Sequence, residues 1–116
     1  MPATQLDILI EQGIKFERNV QVRNKDGTVK DLTGYSGRMQ IRPTETSATV
    51  LLDANTANGM ITINSPGGIV TITVGADITT PLAFTTAYYD VEIFSSTTNV
   101  IRILKGSASL SLEVTR

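Results

Sequence analysis

No histidine, cysteine or tryptophan occurs anywhere in these 116 residues, and each absence closes off some chemistry. Without cysteine there is no disulfide framework, no thiolate nucleophile and no thiolate zinc site. Without histidine, a serine nucleophile would need a lysine or an N-terminal amine as its base, and nothing in the chain marks one. An excess of one charge is missing too. Ten Lys plus Arg stand against eleven Asp plus Glu, a formal net charge of −1, which leaves no electrostatic footprint for duplex nucleic acid or an anionic membrane. No run approaches the ~20 apolar residues that cross a bilayer. The start, Met1-Pro2-Ala3-Thr4-Gln5, has neither the basic region nor the apolar stretch of a secretory leader. The expectation is a soluble protein made in the cytoplasm, with no cofactor, no small-molecule substrate, and no nucleic-acid or membrane partner.

What is present is alternation. Tyr35, Gly37, Met39 and Ile41 interleave with Ser36, Arg38, Gln40 and Arg42; Val70, Ile72 and Val74 with Thr71 and Thr73; Leu110, Leu112 and Val114 with Ser111 and Glu113. A period of two is the pleat of a half-buried strand, and the frequent Thr, Ile and Val suit a pleated surface. The length fits one domain spanning residues 1–116, large enough to bury a core without staples.

Turn signals divide the chain. Leu6, Ile8 and Ile10 alternate up to Gly13, and Ile14, Phe16, Val20 and Val22 follow. Asn24-Lys25-Asp26-Gly27 reads as a hairpin loop that would set Val22 opposite Val29. Asp31-Leu32-Thr33-Gly34 reads as a turn, and Pro43 ends the strand from Tyr35 to Arg42. A strand is expected over Val50 to Asp53, and another hairpin around Ser65-Pro66-Gly67-Gly68. Ala76-Asp77-Ile78 could make a single helical turn within the break from Gly75 to Thr86. In the last hairpin a loop from Ser95 to Asn99 puts Glu92 opposite Arg102 as an ion pair, Ile93 opposite Ile101, and Val91 opposite Ile103. Lys105-Gly106 leads into a final strand through Val114. Seven to nine short strands with turns every eight to twelve residues read as an antiparallel β-sandwich.

Candidate sites are few. Asp53-Ala54-Asn55-Thr56-Ala57-Asn58-Gly59 superficially suggests a calcium loop, but the EF-hand pattern wants its glycine one place earlier and a glutamate where Asn64 stands. It reads as a plain loop, so no metal site is expected. Asp90 and Glu92 point to one strand face about 7 Å apart. Such a pair could serve glycoside hydrolysis only by flanking a cleft, and a solvated ion pair is the simpler reading. Gly67-Gly68 and Gly75 are not read as a phosphate cradle, since such loops run from a strand into a helix and strands are expected to follow here. No catalytic residue is assigned. Arg38, Gln40 and Arg42 form an outward stripe, and Tyr88 and Phe94 share an outer face with Asp90 and Glu92. These five, Arg38, Gln40, Arg42, Tyr88 and Phe94, are either an ordinary solvated face or a protein–protein surface anchored by arginine and aromatic side chains.

Asp31-Leu32-Thr33-Gly34-Tyr35-Ser36-Gly37-Arg38-Met39-Gln40-Ile41-Arg42 resembles a motif of small structural proteins of tailed bacteriophages and prophages. There an Asp-Leu-Thr-Gly-Tyr turn runs into an Arg-Met-Gln-Ile-Arg-like strand. Val50-Leu51-Leu52, Asn58-Gly59, Gly68 to Val74, the Tyr-Asp-Val-Glu-Ile strand at Tyr89 to Ile93, Arg102 to Gly106 and the closing Glu113-Val114-Thr115-Arg116 extend the likeness over most of the chain. Such proteins are similar to the immunoglobulin-like N-terminal domain of phage upper baseplate proteins. The resemblance implies an immunoglobulin-like sandwich and a non-enzymatic, multi-copy virion part of tail, baseplate or collar. Its partners would be other virion proteins and copies of itself. It brings no active-site residue. The alternative is a head decoration or host-glycan-binding module.

Overall fold

Among the described residues, nine strands realise the alternation. The computed structural model describes residues 3–115, with β1 (Thr4–Gln5), β2 (Ile8–Glu11), β3 (Phe16–Gln21), β4 (Ser36–Arg42), β5 (Leu52–Asn55), β6 (Ile61–Asn64), β7 (Ile69–Val74), β8 (Thr86–Ser96) and β9 (Asn99–Ser111). The helical turn expected within the break after Gly75 is α1 (Ala76–Thr79), so a four-residue helix, not a strand, follows that glycine directly. Met1, Pro2 and Arg116, which belong to the leader reading and to the closing motif, lie outside the described residues.

The strands form two sheets. The larger runs β1-β9-β8-β4-β5, with β2 continuing the β1 edge beside β9, and the smaller runs β3-β7-β6. Within each sheet every pairing is antiparallel except those of β1 and β2, which lie parallel to β9. This is a β-sandwich, two packed sheets built mainly of antiparallel pairs. Its two inner faces meet through the alternating residues the sequence marked: Met39 and Ile41 from β4, Val91 and Ile93 from β8, and Val70 and Ile72 from β7 are all buried. Each such aliphatic side chain contributes about 1.5–3 kcal/mol by leaving water. Leu32, in the turn before β4, is fully buried as well, and the turn closes where the Tyr35 amide donates to the Leu32 carbonyl at 3.0 Å.

Two contacts lock the ends. Thr79, buried in α1, donates from Oγ1 to the Ile14 carbonyl at 3.0 Å and accepts from the Gly13 amide at 3.0 Å. Tyr89 is buried on β8, and its hydroxyl donates to the Leu6 carbonyl at 2.6 Å. Burial pushes the Tyr89 phenol up to about 12, a rise the positive charge of Arg18 partly offsets, so it stays a donor throughout the physiological range. The Leu6 carbonyl comes so close to Gly106 that a Cβ there would overlap it. Between β1 and β2 the chain jogs, and the Asp7 carboxylate accepts from the Ser107 amide at 3.1 Å in place of a backbone partner.

The structure corrects five details. The last hairpin turns at Thr97-Thr98 rather than over Ser95 to Asn99: Ser96 pairs with Asn99, and an extra residue at Ser95 leaves Phe94 opposite Val100 and Glu92 opposite Arg102. Arg23, not Val22, faces Val29, and Val22 accepts at its carbonyl from Lys30. The cause is a tighter loop: Asn24 and Thr28 pair, and Gly27 takes φ +89°, the three-residue loop with a left-handed last residue. β5 spans Leu52–Asn55 rather than Val50 to Asp53, because adjacent Leu51 and Leu52 left the phase ambiguous and Leu52 and Ala54 are the buried pair. Val91 faces Leu104, not Ile103, because a bulge between Val91 and Glu92 inserts one residue on β9. The last strand stops at Ser111, leaving Leu112 67% and Val114 90% exposed. Beyond Ser111 the neighbouring strands have ended, so alternation has no ladder to join.

The Tyr89→Phe variant should lose about 1 kcal/mol in urea unfolding, since the Leu6 carbonyl then lacks its donor. Tyr88→Phe should stay within about 0.5 kcal/mol. Gly106→Ala should lower stability by about 1–3 kcal/mol, the usual cost of forcing extra atoms into a packed contact.

Candidate functional site: the outer face of the larger sheet

β4 and β8 lie side by side at the centre of the larger sheet, and their register puts outward residues in rows. Arg38 is opposite Glu92, Gln40 opposite Asp90, Arg42 opposite Tyr88, and Ser36 opposite Phe94. β5 adds Asn55 beside Arg38 and Asp53 beside Gln40. On the other side β9 sets Arg102 against Glu92, Lys105 against Asp90, Ser107 against Tyr88 and Val100 against Phe94. All five residues proposed from the sequence therefore share one face. Glu92 does meet Arg102, and Ile93 meets Ile101, as the hairpin register required.

The ionic contacts, however, are not those the sequence suggested. Glu92 binds Arg38, with Arg38 Nε donating to Oε1 at 2.8 Å, while Arg102 reaches diagonally to Asp90 Oδ2 at 3.3 Å. Directly opposite residues on a twisted, bulged pair need not be the ones whose long side chains meet. The Arg38 guanidinium also stacks over the Phe94 ring, 4.6 Å from its centre, a contact worth about 0.5–1 kcal/mol at an exposed site. Arg42 donates to the Ser47 carbonyl at 2.8 Å and to Gln40 Oε1 at 2.7 Å. Three arginines and two carboxylates are thus held in place before any partner arrives. Tyr88 is 43% exposed beside them.

A shallow groove of about 540 Å³ crosses this face, lined among others by Gln40, Arg42, Tyr88, Asp90, Lys105 and Ser107. Its lining is polar and charged of both signs. The Asp90 carboxyl is held above its ordinary value by burial and by the charge of Glu92, which together outweigh Arg102, Arg38 and Arg42. Among the described residues no cluster of three or more carboxylates is placed to hold a metal ion. The Asp53–Gly59 loop is organised around its own backbone instead. Asn58 Oδ1 accepts from the Asn55 and Met60 amides at 3.1 Å, and Asn58 Nδ2 donates to the Asp53 carbonyl at 2.9 Å. Lys105 and Asp53 belong to the face, though neither was placed on it from the sequence. The bulge that brings Lys105 opposite Asp90 has no sequence signal beyond the extra residue in β9. No family model matches the chain, and none of the curated proteins matches it.

The opposed shifts have a checkable sign. Asp7, Asp26 and Asp31 lie below their ordinary 3.8 because Ser107, Thr28 and Thr33 respectively donate to the ionised form. They stabilise the fold at neutral pH, and that contribution disappears as pH falls below about 3.8. Asp90, raised, acts oppositely: its ionised form opposes folding at neutral pH, and acid removes that penalty. The stability difference of Asp90→Asn relative to the parent should therefore be more favourable at pH 7 than at pH 3 in urea unfolding. A difference independent of pH, or larger at pH 3, would refute the assignment.

Proposed function

We propose that this chain is a non-enzymatic structural protein of a tailed bacteriophage particle, present in many copies in the tail, baseplate or collar. It acts through protein–protein contacts made by the outer face of β5-β4-β8-β9. The observation that carries this reading is the order of that face: Arg38, Arg42 and Arg102 are each held by intramolecular bonds beside the exposed Tyr88 and the Arg38-stacked Phe94. Arginine and aromatic side chains are the usual anchors of protein interfaces. Holding them in advance lowers the entropy lost on docking, about 0.5–1.5 kcal/mol per immobilised side chain. Asp90 and Glu92, the two carboxylates of β8, are each engaged by a guanidinium group, which favours a recognition surface over acid–base catalysis. The likeness of Asp31 to Arg42 and of the Tyr89-to-Ile93 strand to phage structural proteins supplies the particle.

A second reading draws on the polar groove around Tyr88. An aromatic ring beside amide and carboxylate groups suits a polyhydroxylated ligand, which would make the protein a head decoration or host-glycan-binding module.

Mass spectrometry of particles purified from the producing bacterium should find the chain in multiple copies, and cryo-electron microscopy should place its β4–β8 face against a neighbour. Folded Arg38→Glu/Arg102→Glu protein should fail to incorporate. Particles that lack the chain, or incorporate that variant normally, would overturn the proposal. Binding of the isolated domain to host glycans, lost in Tyr88→Ala, would favour the second reading.

A further inference from the structure

Every open sheet has two edges, and this protein treats its edges differently. On β5, the outward amide of Asn55 and carbonyl of Asp53 are both taken by the side chain of Asn58, so this edge is closed from within. The β1–β2 edge is broken at Leu6–Asp7, where Asp7 folds back onto Ser107. β6 is only four residues long. β3 is different: six residues, regularly paired with β7 from Phe16 to Gln21, with no proline or bulge.

Which backbone groups of β3 point outward follows from its ladder. The Val22 amide donates to the Gly68 carbonyl at 2.7 Å, in the same register as the β3–β7 pairs. Hydrogen-bonded pairs recur every second residue, so Phe16, Arg18 and Val20 bond to β7. Glu17, Asn19 and Gln21 then direct their amides and carbonyls away from the sheet. Among the described residues none of these outward backbone groups has a partner. Antiparallel sandwiches of the constant immunoglobulin type place their first strand beside this one. Here the first described strand pairs with β9 in the opposite sheet, and no described residue pairs with β3 on that side.

The side chains of β3 restrict what could fill it. Phe16, Arg18 and Val20 pair with Val74, Ile72 and Val70, all buried, and so occupy the core-facing phase. Phe16 is buried and Val20 half-buried, but Arg18 is exposed, with no ion pair among the described residues. An inward-phase charge on an edge strand rejects indiscriminate apolar strands. It admits one that brings a carboxylate to the same position, which is how a repulsive element confers specificity.

We propose that the free edge of β3 receives an extended segment of a different protein as an added strand. That segment would carry an acidic residue opposite Arg18 and apolar residues two places to either side, over Phe16 and Val20. Main-chain bonds to Glu17, Asn19 and Gln21 supply affinity, and the Arg18 pair supplies selectivity. The partner is not a second copy. None of the eleven acidic residues of the 116 has large apolar residues two places away on both sides. The site lies on the smaller sheet and does not depend on the reading given to the outer face of the larger one.

The test uses the whole chain and a synthetic nonapeptide, acetyl-KTVTETVTK-amide, whose symmetric pattern allows either strand direction. Titration followed by 15N–1H NMR should shift the amides of residues 17–21 and slow hydrogen exchange at Glu17, Asn19 and Gln21. Replacing the peptide's central Glu by Lys should weaken binding about tenfold, and Arg18→Glu should reverse that preference. Asn19→Pro removes an outward amide together with the exposed bond from Thr71 Oγ1 to Asn19 Oδ1, and Asn19→Ala loses that side-chain bond but keeps the amide, so both should fold while the proline variant alone loses peptide binding. Absence of binding at millimolar peptide, shifts confined to another surface, or affinity indifferent to the charge at position 18 would each overturn the proposal.

Discussion

The contact between two aliphatic faces holds this protein together, and the phase of that contact decides what the outside carries. With no disulfide and no tryptophan to pin the sheets, cohesion falls to side chains such as Ile41, Val70, Val91 and Ile93, all fully buried. A slip of one residue in β4 would carry Arg38, Gln40 and Arg42 inward and turn Met39 and Ile41 to water. Burying unpaired guanidinium groups costs far more than the slip could return. The same alternation that builds the core therefore lays out the charged rows on the opposite face.

Backbone hydrogen bonding is the second constraint. Each strand edge leaves amides and carbonyls that must find water or another partner, and the chain answers locally with side chains: Asn58 on β5, and Asp7 where β1 gives way to β2. The bulge in β9 belongs to the same family of devices. By adding one residue it keeps Leu104 in the core opposite Val91 while bringing Lys105 outward to Asp90. Core and surface are thus adjusted together along one strand, and the arginine–carboxylate lattice is a product of that adjustment.

Much of this was legible in the residues. Alternation located β4 and β7, paired glycines and Pro66 located the β6–β7 turn, and Glu92, Ile93, Ile101 and Arg102 were enough to fix the register of the last hairpin. Strand period turned all five candidate surface residues outward, and the pairing of β4 with β8 put them on one face. The errors came where period says nothing. Adjacent Leu51 and Leu52 offered two phases. Leu112 and Val114 continued a pattern past the last available neighbour. Asn24 to Thr28 could close by two loop lengths that differ by one residue.

The sequence by itself determined the fold class, the strand faces and the absence of thiol and imidazole chemistry, because these follow from residue type and a spacing of two. Tertiary structure alone decided that Arg38 rather than Arg102 holds Glu92, that Tyr89 ties β8 to Leu6 across 83 residues, and that the first described strand joins β9 and leaves β3 uncovered among the described residues. Those outcomes depend on which distant segments become neighbours, and on bulges and side-chain reach that no local periodicity encodes.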